Sequence, residues 1–168
     1  MAGRFGLLLP LLLIAAGCGS GPPPATRGTP TRWNIKLIKN PSAGSVQVDL
    51  VGVNKYDEAD WKHLKMTNYW KLGNQMRKDA FDGKRAINTK FEGSNVFVLD
   101  RNDPIWKVWR SNGAFELMVL ADLTGKYPDD ESDPRRKQVP LGSKEFKGNT
   151  IEIEILENQI HMVTPPKD

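Results

Sequence analysis

The 168-residue chain holds a single cysteine and only two histidines. One thiol cannot build a disulfide framework, so an exported domain of this composition must stand on its apolar core. Two isolated histidines, His63 and His161, lie in no metal-ligand spacing, and neither has a second His or Cys beside it. Both read as surface residues, and no metal or cofactor is expected. The chain has no strong charge of one sign either. Its 24 basic and 20 acidic side chains leave a formal charge of +4, too little and too interspersed for a nucleic-acid surface. Gly-x-Ser-x-Gly elbows, phosphate loops and Ser-x-x-Lys are missing, as are internal repeats. Carboxylates are plentiful, and Asp100, Asp103 and Asp122 fall near strand ends. A glycosidase would need two facing each other across a cleft, which spacing alone does not give. No catalytic constellation emerges, and the chain is read as non-enzymatic.

What is present begins with an ordered N-terminus. Met1–Gly6 carries one positive charge, Arg4, and Leu7–Ala15 is apolar apart from Pro10. Ala16-Gly17-Cys18 follows. This is the charged, apolar, small-residue order of a secretory signal, and the apolar run is about half the ~20 residues that span a bilayer. Residues 1–17 are therefore expected to be a signal peptide. Ile14–Cys18 resembles the lipobox of bacterial lipoproteins, with Ala15 where Leu is commoner. That resemblance makes Cys18 a lipid attachment site, which also accounts for the lone Cys. Gly19–Thr31 has no apolar residue larger than Ala and is rich in Gly and Pro, so residues 18–31 read as the lipidated Cys and a semi-extended tether. Gly19 follows the Cys, not the Asp that often retains lipoproteins in the inner membrane. The resemblance therefore favours the outer membrane, facing the periplasm.

Residues 32–168 form one expected domain. Trp33–Leu37 and Val46–Leu50 alternate apolar and polar residues, as two neighbouring half-buried strands would, joined by the turn chemistry of Asn40-Pro41-Ser42-Ala43-Gly44. Asp57–Leu72 predicts one or two short helices ended by Gly73-Asn74. Arg85–Phe91 and Asn95–Leu99 read as strands. Asp103-Pro104 opens a short helix over 103–111. Ala114–Leu123 is nearly continuous in apolar residues, as a central strand covered on both faces would be. Thr124–Gln138 reads as a solvated charged loop, and Ile151–Ile155 with Ile160–Val163 as a C-terminal hairpin. About seven short strands predict a mainly β fold: an antiparallel β-sandwich of transthyretin or immunoglobulin type with one or two short helical insertions. Five tryptophans are many for such a domain. They suit either a core of few large residues or stacking on a ligand, and Trp70 and Trp109 are the candidates for partial exposure.

The order of parts resembles the outer-membrane lipoprotein of type VI secretion, a small periplasmic transthyretin-like sandwich. In that family a lipidated Cys and tether lead into a first strand, an Asn-Pro loop, a valine-rich strand and a helical insertion with aromatics. Here Trp33–Ile38, Asn40-Pro41, Val46–Val53 and Asp57–Trp70 take those places in order. Phe115–Leu123 and the Ile-rich hairpin also fit. The charged 124–138 loop and the 103–110 helix are larger than the family pattern, and Trp and Tyr replace its usual Phe-Phe-Leu. The resemblance implies a non-catalytic tether in an envelope-spanning secretion complex. It implies a protein partner in the cell envelope, touched by the loop Asn40, Pro41, Ser42, Ala43 and Gly44. The alternatives are a lipoprotein holding glycan or peptide on exposed Trp, and, third, an envelope enzyme.

Overall fold

The computed structural model describes residues 30–91 and 93–167; the leader, Cys18 and most of the tether lie outside them. The described residues form eight strands and four short helices. The strands are β1 (Asn34–Lys39), β2 (Gln47–Val53), β3 (Ala86–Lys90), β4 (Val96–Leu99), β5 (Glu116–Ala121), β6 (Arg136–Pro140), β7 (Thr150–Ile155) and β8 (Ile160–Met162). Helices α1 (Glu58–Lys62), α2 (Met66–Tyr69) and α3 (Gln75–Asp82) are inserted between β2 and β3, and α4 (Ile105–Ser111) joins β4 to β5. The strands make two four-stranded sheets, ordered β4-β1-β7-β8 and β3-β2-β5-β6.

One expectation about pairing is corrected, and the mainly antiparallel sandwich holds with one exception. β1 and β2 are consecutive but not neighbours: the loop between them crosses from the first sheet to the second. The exception is that β1 pairs with β7 in parallel, Leu37 opposite Ile153. Local alternation gave both strands their inward faces. It carries no information on which partner each strand finds.

Burial shows why the two sheets differ in sequence. β1 and β7 alternate half-buried and buried residues without exception, because the outer face of their sheet is wet. β2 and β5 are buried almost throughout. Their inward residues Val48, Leu50, Leu117 and Val119 join Ile35, Leu37, Ile151 and Ile153 between the sheets. Their outward residues Val51, Val53, Met118 and Leu120 pack under the inserted helices against Trp61, Leu64, Met66 and Tyr69. The molecule thus has three layers, and β5 is the covered central strand that its composition predicted.

The insertion is longer than expected. Gly73-Asn74 does end the first helical stretch, but Asn74 then starts another: its Oδ1 accepts from the Arg77 N–H at 2.8 Å, capping α3. The charged 124–138 segment is likewise not all loop, because Arg136 opens β6. The 103–111 helix forms as expected, with the Asp103 carboxylate accepting from the Ile105 N–H.

Helix α4 closes the end of the sandwich where β1 begins. Trp106 and Trp109 meet edge to face at 4.9 Å, and Trp109 lies over the inward face of β2 at Gly52. The indole N–H of Trp109 donates to the Arg85 carbonyl at 2.8 Å. A Cβ on Gly52 would sit 2.4 Å from Cδ1 of Trp109, so the glycine is required by the tryptophan. Gly52→Ala should therefore destabilise by about 1–3 kcal/mol through overpacking, and Trp109→Ala by about 3–5 kcal/mol through the void it leaves. In urea denaturation the double variant should cost clearly less than the sum, since alanine at 52 fills part of that void. Strict additivity would show that the two residues do not share one space.

Candidate functional site

The β1–β2 loop stands at the opposite end of the sandwich from α4. Pro41–Ala43 forms one 3-10 turn. Its opening residue, Asn40, is fixed on three sides. Its N–H donates to the Ile155 carbonyl at 2.9 Å, its Oδ1 accepts from the N–H and hydroxyl of Ser42, and its carbonyl accepts from Ala43. Gly44 leaves the turn at φ 64, a conformation that favours glycine, and the Lys39 ammonium donates to its carbonyl at 2.9 Å. Pro41, Ser42 and Gly44 are exposed, while Asn40 and Ala43 are half-buried. The loop is thus a rigid, solvent-facing knuckle on a sheet scaffold, a favoured setting for recognition.

Beneath the inserted helices lies a polar cluster that sequence reasoning did not find. Asp49, on the outer face of β2, is fully buried. Its Oδ2 accepts from the Tyr69 hydroxyl at 2.8 Å and from Arg77 Nε at 2.7 Å. Its Oδ1 accepts from Asn88 Nδ2 at 2.6 Å. The Arg77 guanidinium also stacks 4.8 Å from the Trp70 ring. The contacts of this carboxylate reach α2, α3 and β3 at once. Burial first, and then the Asp49 charge, push the Tyr69 phenol far above its ordinary range. The hydrogen bond to Asp49 holds Arg77 more firmly protonated. In sequence Asp49 is simply the polar member of the Val46–Leu50 alternation, so nothing local signalled the cluster.

The 124–135 segment is tied down rather than simply solvated, which corrects the expectation from its composition. Asp133 and Arg135 are buried and paired, with Nε to Oδ1 at 2.9 Å. Arg136 is buried too and donates to the carbonyls of Leu64 at 3.0 Å and Asp130 at 2.6 Å. Withdrawal from water lowers the Arg136 pKa. The Thr67 N–H donates to Asp129 at 3.0 Å, and its hydroxyl meets the same carboxylate. Near-cancelling charge concealed a set of specific pairs.

Of the aromatic candidates, Trp109 is corrected: it is 0% exposed, held by Gly52 and the Arg85 carbonyl. Trp70 is half-buried. Trp33, Trp61 and Trp106 are core residues. His63 and His161 are exposed, and His63 Nδ1 lies 3.0 Å from Glu131. The strand-end carboxylates have structural partners: Asp100 accepts from the Asn102 N–H in a local turn, and Asp122 accepts from the Gln47 side-chain amide across the β2–β5 pair. No group of three possible metal-ligating side chains occurs among the described residues.

Fold and site together define a class: a two-sheet sandwich with a helical layer on one sheet and a stiff, exposed loop at one end. No family model matches the chain, and no curated protein matches it in sequence. Among solved structures it is similar to a chain of a type VI membrane complex at 13% identity, covering 78% of this chain and 96% of that one, with a TM-score of 0.51. It is also similar to the T6SS lipoprotein TssJ1 from Pseudomonas aeruginosa, at 16% identity over 83% and 99% of the two chains, with a TM-score of 0.50. At such identities the likeness establishes the shared β-sandwich.

Two measurements test the Asp49 cluster. Arg77→Ala leaves a buried carboxylate without its counter-charge and should cost about 3–5 kcal/mol in denaturant unfolding. Tyr69 sets an alkaline limit. Its folded pKa is raised, so its contribution is complete below the ordinary phenol range near ~10 and is lost as pH rises above it, where only the unfolded chain ionises. Tyrosinate absorbance should show one phenol that appears only with alkaline unfolding. Gradual ionisation of all three tyrosines in the folded protein would contradict the cluster.

Proposed function

We propose that this chain is a lipid-anchored, non-catalytic component of a type VI-like secretion complex in the cell envelope. Cys18 carries the lipid, residues 18–31 are the tether, and residues 32–168 are a periplasmic domain held at the outer membrane. The observation that carries the reading is the sandwich shared with a type VI secretion lipoprotein over nearly the whole of that protein. The order of leader, lone Cys and tether supports it independently. In this reading the knuckle Asn40–Gly44 meets the periplasmic domain of an inner-membrane partner. Its fixed turn lets it bind without first being ordered, so little affinity is spent on entropy. A glycan- or peptide-binding lipoprotein is less well supported, because four of the five tryptophans are in the core.

Anchoring is tested by labelled-palmitate incorporation in cells. The wild type should take up label and sediment with membranes, and Cys18→Ser should do neither. Unchanged labelling in the variant, or a soluble wild type, would remove the anchor from the reading. The loop is tested by replacing Asn40–Gly44 with a Gly-Ser linker of equal length. Type VI-dependent killing of a competitor strain should be lost. The folded domain should survive, with unfolding free energy lowered by roughly 1–2 kcal/mol for the lost Asn40 cap and the half-buried Ala43 contact. Full killing by the variant would reduce the loop to a connector.

A further inference from the structure

The α2–α3 turn carries a feature that neither the fold nor the sandwich loop explains. Leu72 is 105% exposed, in a turn that is not loose. The Lys71 N–H donates to the Asn68 carbonyl, and the Asn74 N–H donates to the Lys71 carbonyl, both at 3.1 Å. Gly73 takes φ 79, as the third position of a type II turn requires. The side chain is therefore held out in water on a fixed backbone.

Its surroundings are cationic. From Trp61 to Lys78 the chain has five Lys and Arg and no Asp or Glu. These cations are not equally available. Lys62 lies 3.8 Å from Glu131, Lys65 faces Asp129, and Arg77 is taken by Asp49. Lys71 and Lys78 remain, both exposed: Lys71 stands next to Leu72 and donates only to the neutral Asn68 side-chain oxygen at 2.9 Å, and Lys78 lies on α3, where Asp79 and Asp82 follow it.

The turn also has a definite place. Thr67 holds Asp129 in the segment after β5, and Arg77 reaches Asp49 near the start of β2. The insertion therefore rises along the sheet from Asp57 and descends along α3, with its turn at the same end of the sandwich as Asn40–Gly44. The chain enters at the other end, where the Thr31 N–H bonds to Leu141 and the Asn34 N–H to Asn149.

We propose that Leu72, together with Lys71 and Lys78, is a second docking point for a protein partner: a segment bearing carboxylates around an apolar cleft that takes the leucine. The exposed leucine supplies the anchor, its fixed turn the pre-organisation, and the unneutralised lysines the charge complementarity. One exposed leucine offers too little apolar area for insertion into a bilayer, and the turn points away from the end at which the chain enters. The inference rests on the proposed envelope partner being a protein, but not on the sandwich loop being its contact.

The test is photocrosslinking in intact cells, using the full-length protein with a benzophenone amino acid at position 72 or, separately, at position 42. Position 72 should give a protein adduct whose crosslinked peptide is net acidic. The double substitution Lys71→Glu and Lys78→Glu should reduce that adduct about tenfold or more, with thermal unfolding and the adduct from position 42 unchanged. A phospholipid adduct at 72, no adduct, a basic or neutral peptide, or an adduct indifferent to charge reversal would each overturn the proposal. Loss of the adduct at 42 alone would count against the sandwich loop and leave the Leu72 contact standing.

Discussion

A buried carboxylate sets the architecture of the helical side of this protein. Asp49 sits on the outer face of β2, where a half-wet sheet would place a solvated residue. The inserted helices cover that face, so the charge must be met inside. Tyr69, Arg77 and Asn88 supply four donor contacts to its two oxygens. An acceptor-only group with two oxygens is well satisfied by such a set. Replacing a buried pair of this kind with apolar residues often leaves stability unchanged or improved, whereas removing one member costs several kcal/mol. The cluster is therefore better understood as fixing where α2 and α3 dock than as a source of net stability. The apolar contacts of Trp61, Met66 and Tyr69 with Val51, Val53 and Met118 provide the attraction. Those contacts alone tolerate sliding; a fork of hydrogen bonds from Arg77 does not.

The same constraint links the insertion to the 124–135 segment. Arg136 is drawn out of water between β6 and the α1–α2 connection, where the neutral carbonyls of Leu64 and Asp130 accept hydrogen bonds from its guanidinium. The cost of burying it is moderated by Asp133, Glu131, Asp130 and Asp129 around it. A segment that reads as nearly neutral is thus an ordered charge pattern. It is folded over the end of α1 and held there from the other side by Thr67.

What could be read in the sequence follows from which signals are local. Alternation in Trp33–Leu37, Ile151–Ile155 and Arg85–Phe91 identified strands because a two-residue period has no other simple cause. The nearly continuous apolar run Ala114–Leu123 identified the strand covered on both faces. Asp103-Pro104 announced α4. The failures are non-local. Nothing within β1 and β2 says that they belong to different sheets, or that β1 finds β7 in parallel. Trp109 was a candidate for partial exposure, but it is buried. Its burial depends on Gly52, more than fifty residues earlier, and a glycine within a strand was the only sign that something bulky approaches. Helix α3 was missed because Gly73-Asn74 was read as an end, although Asn is as good at starting a helix as at stopping one. For the site, Asn40–Gly44 was legible as turn chemistry. That it is a stiff 3-10 knuckle depends in part on the Ile155 carbonyl, which only the fold brings near.

The division of the molecule into two ends gives the functional reading its physical basis. At one end the chain enters beside Leu141 and Asn149, and Trp106 and Trp109 seal the core. This end is apolar inside and conformationally closed. At the other end lie the crossing loop Asn40–Gly44, the Leu72 turn and the segment pinned by Arg136. They are ordered by bonds to the sheets, yet they present side chains to solvent. An anchored assembly component needs this asymmetry: an anchor pulls on one terminus, and a partner must be met elsewhere on elements that do not yield. β1 runs from Asn34 to Lys39 and is laddered on both sides, with β4 and β7, so a force applied along it would be carried by both ladders. Ladders loaded along the strand direction share force over many hydrogen bonds at once. A lipoprotein that bridges a membrane and a partner complex would transmit load through the sheet containing β1. The helical layer is attached to the other sheet, so a partner held at Leu72 would load that sheet through the Asp49 cluster, which joins α2 and α3 to β2 and β3.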